Sequence, residues 1–125
     1  MKLPNGYQHV MPYLVLSNAK DFLNFAKIVF GAKEHAMHLN DDGSIMHGEI
    51  KIGDSVIMFG NSGDQWSAQN AGLYVYVEDA DQTYHKALEN GATSVMEMSD
   101  KDYGRTGGIK DVSGNVWWLT TAPKD

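Results

Sequence analysis

One unit occurs twice in this chain, and that repeat constrains the fold more than any single motif does. Gly53-Asp54-Ser55-Val56-Ile57-Met58-Phe59 and Ser113-Gly114-Asn115-Val116-Trp117-Trp118-Leu119 are each a turn followed by an apolar strand, sixty positions apart. Gly31-Ala32 meets Gly91-Ala92 at the same spacing, and Ser17-Asn18-Ala19 meets Glu78-Asp79-Ala80 after one gap. Each copy reads strand, helix, then three strands. In the first copy His9 to Leu16 alternates as a strand. Asn18 can cap a helix whose Phe22, Phe25, Ala26 and Val29 share a face, and Gly31 closes it. His35 to Leu39 is a short strand before the turn Asn40-Asp41-Asp42-Gly43. Ile45 to Ile52 and Ser55 to Phe59 then form a hairpin around Gly53-Asp54. In the second copy Leu73 to Val77 is the first strand. Asp79 caps a helix with Ala80, Tyr84, Ala87 and Leu88 inward, closed by Gly91. A strand near Thr93 to Met98 precedes a last hairpin from about Gly107 through Ser113-Gly114 to Thr121. The expectation is an α+β fold: a single domain of two βαβββ modules, about 7–60 and 71–122, joined by a Gly-, Ser- and Asn-rich segment at 61–70.

Strand alternation sorts the side chains by face. Leu14 and Leu16 share one face of the first strand, and His9, Met11, Tyr13 and Val15 the other. Leu73, Val75 and Val77 likewise oppose Tyr74 and Tyr76. The aliphatic faces should carry the helices. A two-residue turn at Gly53-Asp54 pairs Ile50 with Ile57 and Glu49 with Met58, placing Ile50 and Ile57 under the helix. His47, Glu49, Val56 and Met58 then join the tyrosine face. By the repeat, Gly107, Ile109, Val116 and Trp118 do the same, with Trp117 and Leu119 under the helix. A three-residue turn inverts such an assignment. The non-helix faces are expected to form a concave, amphipathic surface of Met, Tyr, Trp and Ile with a His-Glu pair among them. That composition suits a ligand cavity, or a surface buried in a dimer.

The composition removes several functions. There is no cysteine, hence no disulfide, thiolate metal site or thiol nucleophile. No apolar run approaches the roughly 18 residues that span a bilayer, and the polar start at Met1 to Tyr7 is not a signal peptide. A cytoplasmic protein is the expectation. The net charge of −6 argues against nucleic acid and is compatible with a neutral or cationic small ligand. No phosphate-cradling glycine loop, Gly-x-Ser-x-Gly or His-x-x-x-His occurs.

Pro12-Tyr13-Leu14-Val15, Ala19, Phe25 and Phe30-Gly31-Ala32 resemble the opening of glyoxalase/bleomycin-resistance/dioxygenase (vicinal oxygen chelate) proteins. Met46-His47-Gly48-Glu49-Ile50-Lys51-Ile52-Gly53-Asp54-Ser55 resembles the middle of the PhnB-like subgroup. Tyr74-Val75-Tyr76-Val77-Glu78-Asp79-Ala80-Asp81 and Gly91-Ala92 resemble the second-half opening. Tyr103-Gly104-Arg105, Gly108-Ile109-Lys110-Asp111 and Gly114-Asn115-Val116-Trp117-Trp118 resemble the ending. The resemblance covers nearly the whole chain. It implies paired, edge-to-edge βαβββ modules whose curved mixed sheets enclose a concave cavity, with helices outside, and commonly a homodimer. It also implies four metal-ligand positions, which fall here on Met11, Met58, Gly72 and Trp118. None offers a hard-cation ligand, so no metal and no cofactor are expected, and glyoxalase I or extradiol dioxygenase chemistry is disfavoured.

Two functional readings follow. In the first, the chain is a metal-free protein that sequesters or carries an amphipathic, cationic or aromatic small molecule. His9, Met11, Tyr13, His47, Glu49, Met58, Tyr74, Tyr76 and Trp118 would line its site. Trp66 would be a lid in the linker, and Arg105 a fork for a carboxylate or phosphate. In the second, the chain is a lyase, isomerase or dioxygenase-type enzyme using His9, His47 and Glu49, with or without a displaced metal. Of these, His47 and Glu49 are the catalytic candidates, since a neutral His beside a carboxylate is the minimum acid-base pair. A dimer whose concave faces fill each other is the reading without a ligand.

Overall fold

A computed structural model describes residues 1–124 and divides them into two compact units, Met1–Asn70 and the chain from Ala71 onward. Each unit is one βαβββ module around a four-stranded mixed sheet. In the first, β1 (Tyr13–Leu16) leads into α1 (Ala19–Phe30), followed by β2 (Lys33–Leu39), β3 (Ile45–Ile52) and β4 (Ser55–Asn61), in the order β1-β4-β3-β2. In the second, β5 (Gly72–Tyr76), α2 (Ala80–Glu89), β6 (Thr93–Lys101), β7 (Gly104–Lys110) and β8 (Val116–Thr121) repeat the pattern as β5-β8-β7-β6. The first strand of each module pairs with the last in parallel, and the other pairings are antiparallel. The repeat read in the sequence is therefore a repeat of structure.

The first module's core lies between α1 and one sheet face. Phe22, Phe25, Ala26 and Val29 are buried along the helix, and Leu14, Leu16, Ile50, Ile57 and Phe59 along the sheet. Phe22 and Phe59 meet edge to face with ring centroids 5.1 Å apart. Gly48 pairs with Phe59 across the hairpin, and a β-carbon there would lie 2.7 Å from the Phe59 ring, so only glycine fits. Asn18 stands at the N-cap of α1 without a side-chain capping bond, whereas Asp79 caps α2 by accepting from the Gln82 amide. Gly31 closes α1 in the left-handed conformation the sequence assigned it (φ 66°).

The first hairpin has the expected register: Glu49 opposite Met58, Ile50 opposite Ile57, Ile52 opposite Ser55. The second does not. Asp111 donates its amide to the Asn115 carbonyl, so three residues, Val112-Ser113-Gly114, stand where the first hairpin has two. The extra residue turns β7 over relative to β3. Ile109 faces Trp117 and Gly107 faces Leu119, both on the helix side, and Gly108 takes the place beside Trp118 that the repeat assigned to Ile109. Gly107 and Ile109 thus leave the tyrosine face. The first strand is also shorter than expected. It begins at Tyr13, and His9 and Met11 precede it. The segment before Pro12 leaves the sheet, and Gln8 bonds both backbone groups of Val56 on β4 through its side-chain amide.

Candidate functional site

In the first module the face turned away from α1 carries a row formed by register alone: Tyr13 on β1 opposite Met58 on β4, opposite Glu49 on β3. Glu49 is 4% exposed. A buried carboxylate is costly unless both oxygens are satisfied, and here both are. Tyr7 Oη donates to Oε1 at 2.7 Å, and His47 Nε2 lies 2.7 Å from Oε2. His35 Nε2 is 3.9 Å from Oε1. Burial pushes the Glu49 carboxyl up, but the hydrogen bonds from His47 and Tyr7 and the nearby charge of His47 and His35 outweigh it. The net shift is downward, so the carboxylate is ionised. The same bond and the carboxylate charge push the Tyr7 phenol up.

The other nitrogen of the His47 ring, Nδ1, lies 3.2 Å from Tyr13 Oη. Tyr13 stands on β1 and His47 on β3, with β4 between them. Gly60 on β4 lies beside this path. A β-carbon at Gly60 would lie 3.6 Å from Tyr13 Oη and 2.5 Å from the Met46 carbonyl oxygen. His38, opposite His47 on β2, completes the surround with its ring 6.3 Å away. His9, expected on this face, is exposed in the segment before β1. Tyr7, two residues earlier, reaches Glu49. Sequence alternation could not show this, because the segment 7–12 crosses the sheet instead of extending it.

The second module carries a different surface. Trp118 on β8 pairs with Tyr74 on β5 and with Gly108 on β7. A β-carbon on Gly72 would lie 3.2 Å from its indole, and one on Gly108 would lie 3.6 Å away. The indole is therefore packed close against two glycines of the sheet and remains 38% exposed. Tyr74 and Tyr76 are exposed beside it, their ring centroids 5.4 Å apart, and Tyr74 Oη accepts from Thr120. Gly72 and Gly108 carry no sequence signal of their own; the register gives them their role.

The remaining candidates lie elsewhere. Arg105 is on the helix side of β7, where its Nε and Nη2 donate to both oxygens of Asp81 on α2, and Asp100 adds a third contact. That pairing lowers the Asp81 carboxyl and raises the guanidinium. An arginine so held is a brace between helix and sheet, and the fork expected to meet a ligand is engaged with Asp81. Trp66 is exposed in the segment between the modules. A shallow cleft of about 260 Å³ at the start of α1, lined by Asn18, Asp42 and Asn61 among others, contains none of the expected site residues.

The metal positions implied by the resemblance do not fit a hard cation. Met58 presents a thioether, Gly72 no side chain, and Trp118 an indole packed against glycine. Among the described residues no group of three or more His, Cys, Asp or Glu is arranged to hold a metal ion.

These two surfaces lie on a widely shared scaffold. An uncharacterized protein of Mycobacterium bovis is 27% identical over 120 residues, covering 86% of this chain and 79% of its own. The PhnB protein of Bacillus cereus superposes with a TM-score of 0.71 at 18% identity, over 92% of this chain and all of that one. The bleomycin-binding protein of Streptomyces verticillus, solved with copper(II)-bleomycin, superposes with a TM-score of 0.62 at 16% identity, over 94% and 98% of the two chains. The model of one family matches residues 6–119, nearly the whole of both modules, and the chain therefore belongs to the Glyoxalase/Bleomycin resistance protein/Dioxygenase superfamily.

Proposed function

We propose that this protein binds a small planar, amphipathic molecule, and that Trp118 with Tyr74 and Tyr76 is the platform that receives it. The observation that carries the reading is the indole of Trp118, close-packed on the glycine positions 72 and 108 with part of its surface open. Aromatic rings exposed together on one sheet face cost solvation that a flat ligand would recover, and stacking on such rings is worth about 1–3 kcal/mol per ring. The net charge of −6 favours a cation over an anion there. The likeness to a bleomycin-binding protein supports the reading. The absence of hard-cation donors at Met58, Gly72 and Trp118 favours binding over metal-assisted chemistry at those positions.

We propose the cytoplasm as its compartment and a homodimer as its working assembly. No helix among the described residues is long and apolar enough to cross a membrane. Titration with proflavine, a planar aromatic cation, tests the platform. Binding should saturate at one site per chain, and Trp118→Ala should weaken it about tenfold, the equivalent of about 1.4 kcal/mol. Unchanged affinity in Trp118→Ala would refute the platform. If sedimentation shows that dimerisation is lost with Trp118 while proflavine binding is not, the aromatic face serves a second copy of the chain.

A further inference from the structure

The first module holds a group of side chains that the aromatic platform does not use. Glu49 is buried and ionised, with each oxygen accepting a hydrogen bond. An ionised carboxylate has no proton to give, so the bond to His47 requires the proton on Nε2. When the imidazole is neutral that is its one N–H, so Nδ1 is a lone pair and accepts from the Tyr13 hydroxyl 3.2 Å away. The chain Glu49–His47–Tyr13 thus has a single direction, fixed by the carboxylate at its closed end. Its other end is open, since Tyr13 is 51% exposed. Satisfying Glu49 alone needs only Tyr7 and His47. The bond from the second ring nitrogen to a half-exposed tyrosine on another strand, past Gly60, adds nothing to that.

We propose that Tyr13 is a proton-transfer residue for a small carbon or oxygen acid brought to this face, with His47 and Glu49 as the positioning residues behind it. The inference is independent of the platform at Trp118. In the step, the bond from the ligand's acidic hydrogen to its carbon or oxygen breaks and that proton passes to Tyr13 Oη. The proton already on Tyr13 passes to His47 Nδ1. The ligand keeps the electron pair, and an imidazolium is left against the Glu49 carboxylate. Reversal returns the proton, so no oxidant, reductant or metal enters the balance. The groups facing the His47 ring are Glu49 on its own strand, Tyr13 on β1 and His38 on β2, while His35 on β2 faces Glu49 instead. Tyr7 reaches it through Glu49.

The test uses 5-nitrobenzisoxazole, a planar carbon acid. Loss of its C–H proton opens the N–O bond and releases a coloured cyanonitrophenolate. The full-length protein should accelerate the release over buffer. Tyr13→Phe and His47→Gln should each lower kcat at least tenfold with KM nearly unchanged, while the thermal midpoint holds. Arg105→Ala, on the helix side of the other module, should leave kcat as it is. A wild-type rate equal to buffer would overturn the proposal, and so would a loss below threefold in either Tyr13→Phe or His47→Gln. Because the readout is a rate and not proflavine binding, this idea and the platform can fail separately.

Discussion

Glu49 is the carboxylate buried in the first module. It is ionised and held from two directions. Removing one donor leaves a carboxylate oxygen short of a partner in a desolvated place. Tyr7→Phe should therefore destabilise the protein, read as a fall in the urea midpoint with unchanged slope. An unchanged midpoint would mean that the segment around Tyr7 is not held to the sheet in solution. The sign of the pH dependence follows from the same contacts. The folded carboxyl titrates below the ordinary glutamate value of 4.5. Its contribution is then complete above that value and is lost as pH falls through the lower folded one. Wild type should exceed Glu49→Gln in stability at neutral pH, and the gap should close as the pH drops below about 4.5; a gap constant down to pH 3 would contradict an ionised Glu49. The pair His47 and Glu49 was legible in the sequence as neighbours on one strand face. Their partners were not. Tyr7 reaches Glu49 by a segment that leaves the sheet, and Tyr13 reaches His47 across an intervening strand, past Gly60. Neither is a property of alternation.

The two hairpins show where a repeat stops being a guide. Their apolar strands match residue for residue, and β4 and β8 place Met58 and Trp118 alike, each beside a tyrosine of the parallel neighbour. The inward set on β3 and on the last strand of each module was readable from alternation and a two-residue turn. On β7 the same logic misplaced Gly107 and Ile109, because one added loop residue reverses the faces of the strand before it. The sequence sign of that loop is Asp111. It accepts from the amides of Ser113 and Asn115, from Asn115 Nδ2 and from the indole nitrogen of buried Trp117. Asp111 therefore fixes the three-residue turn and, through it, the register of the sheet that carries Trp118. Asp111→Ala would strand several buried donors at once, each costing about 1–3 kcal/mol. The expected loss is about 3 kcal/mol or more, measured by denaturant unfolding. Gly53-Asp54 has no such network, so Asp54→Ala should cost less than about 1 kcal/mol. Equal effects at the two turns would show that Asp111 does not set the register.

At the scale of the whole chain, sixteen acidic residues against ten basic ones give a net −6. A field of that sign acts on a charged ligand before any contact is made. Its range is set by salt, about 30 Å at about 0.01 M and about 3 Å at about 1 M. Stacking on Trp118 is short-ranged and indifferent to ionic strength. The two contributions can therefore be separated by comparing proflavine with neutral acridine, a ring system of the same shape, at pH 7.5. Stopped-flow quenching of tryptophan fluorescence should give an association rate for proflavine that falls several-fold between low and high salt. The rate for acridine should stay level, and the dissociation rates of both should change little. Loss of Trp118 should raise both dissociation rates and leave the salt slope of proflavine in place. If the two probes respond to salt alike, the acidity of the chain serves solubility and not recognition. The platform would then select its ligand by shape alone.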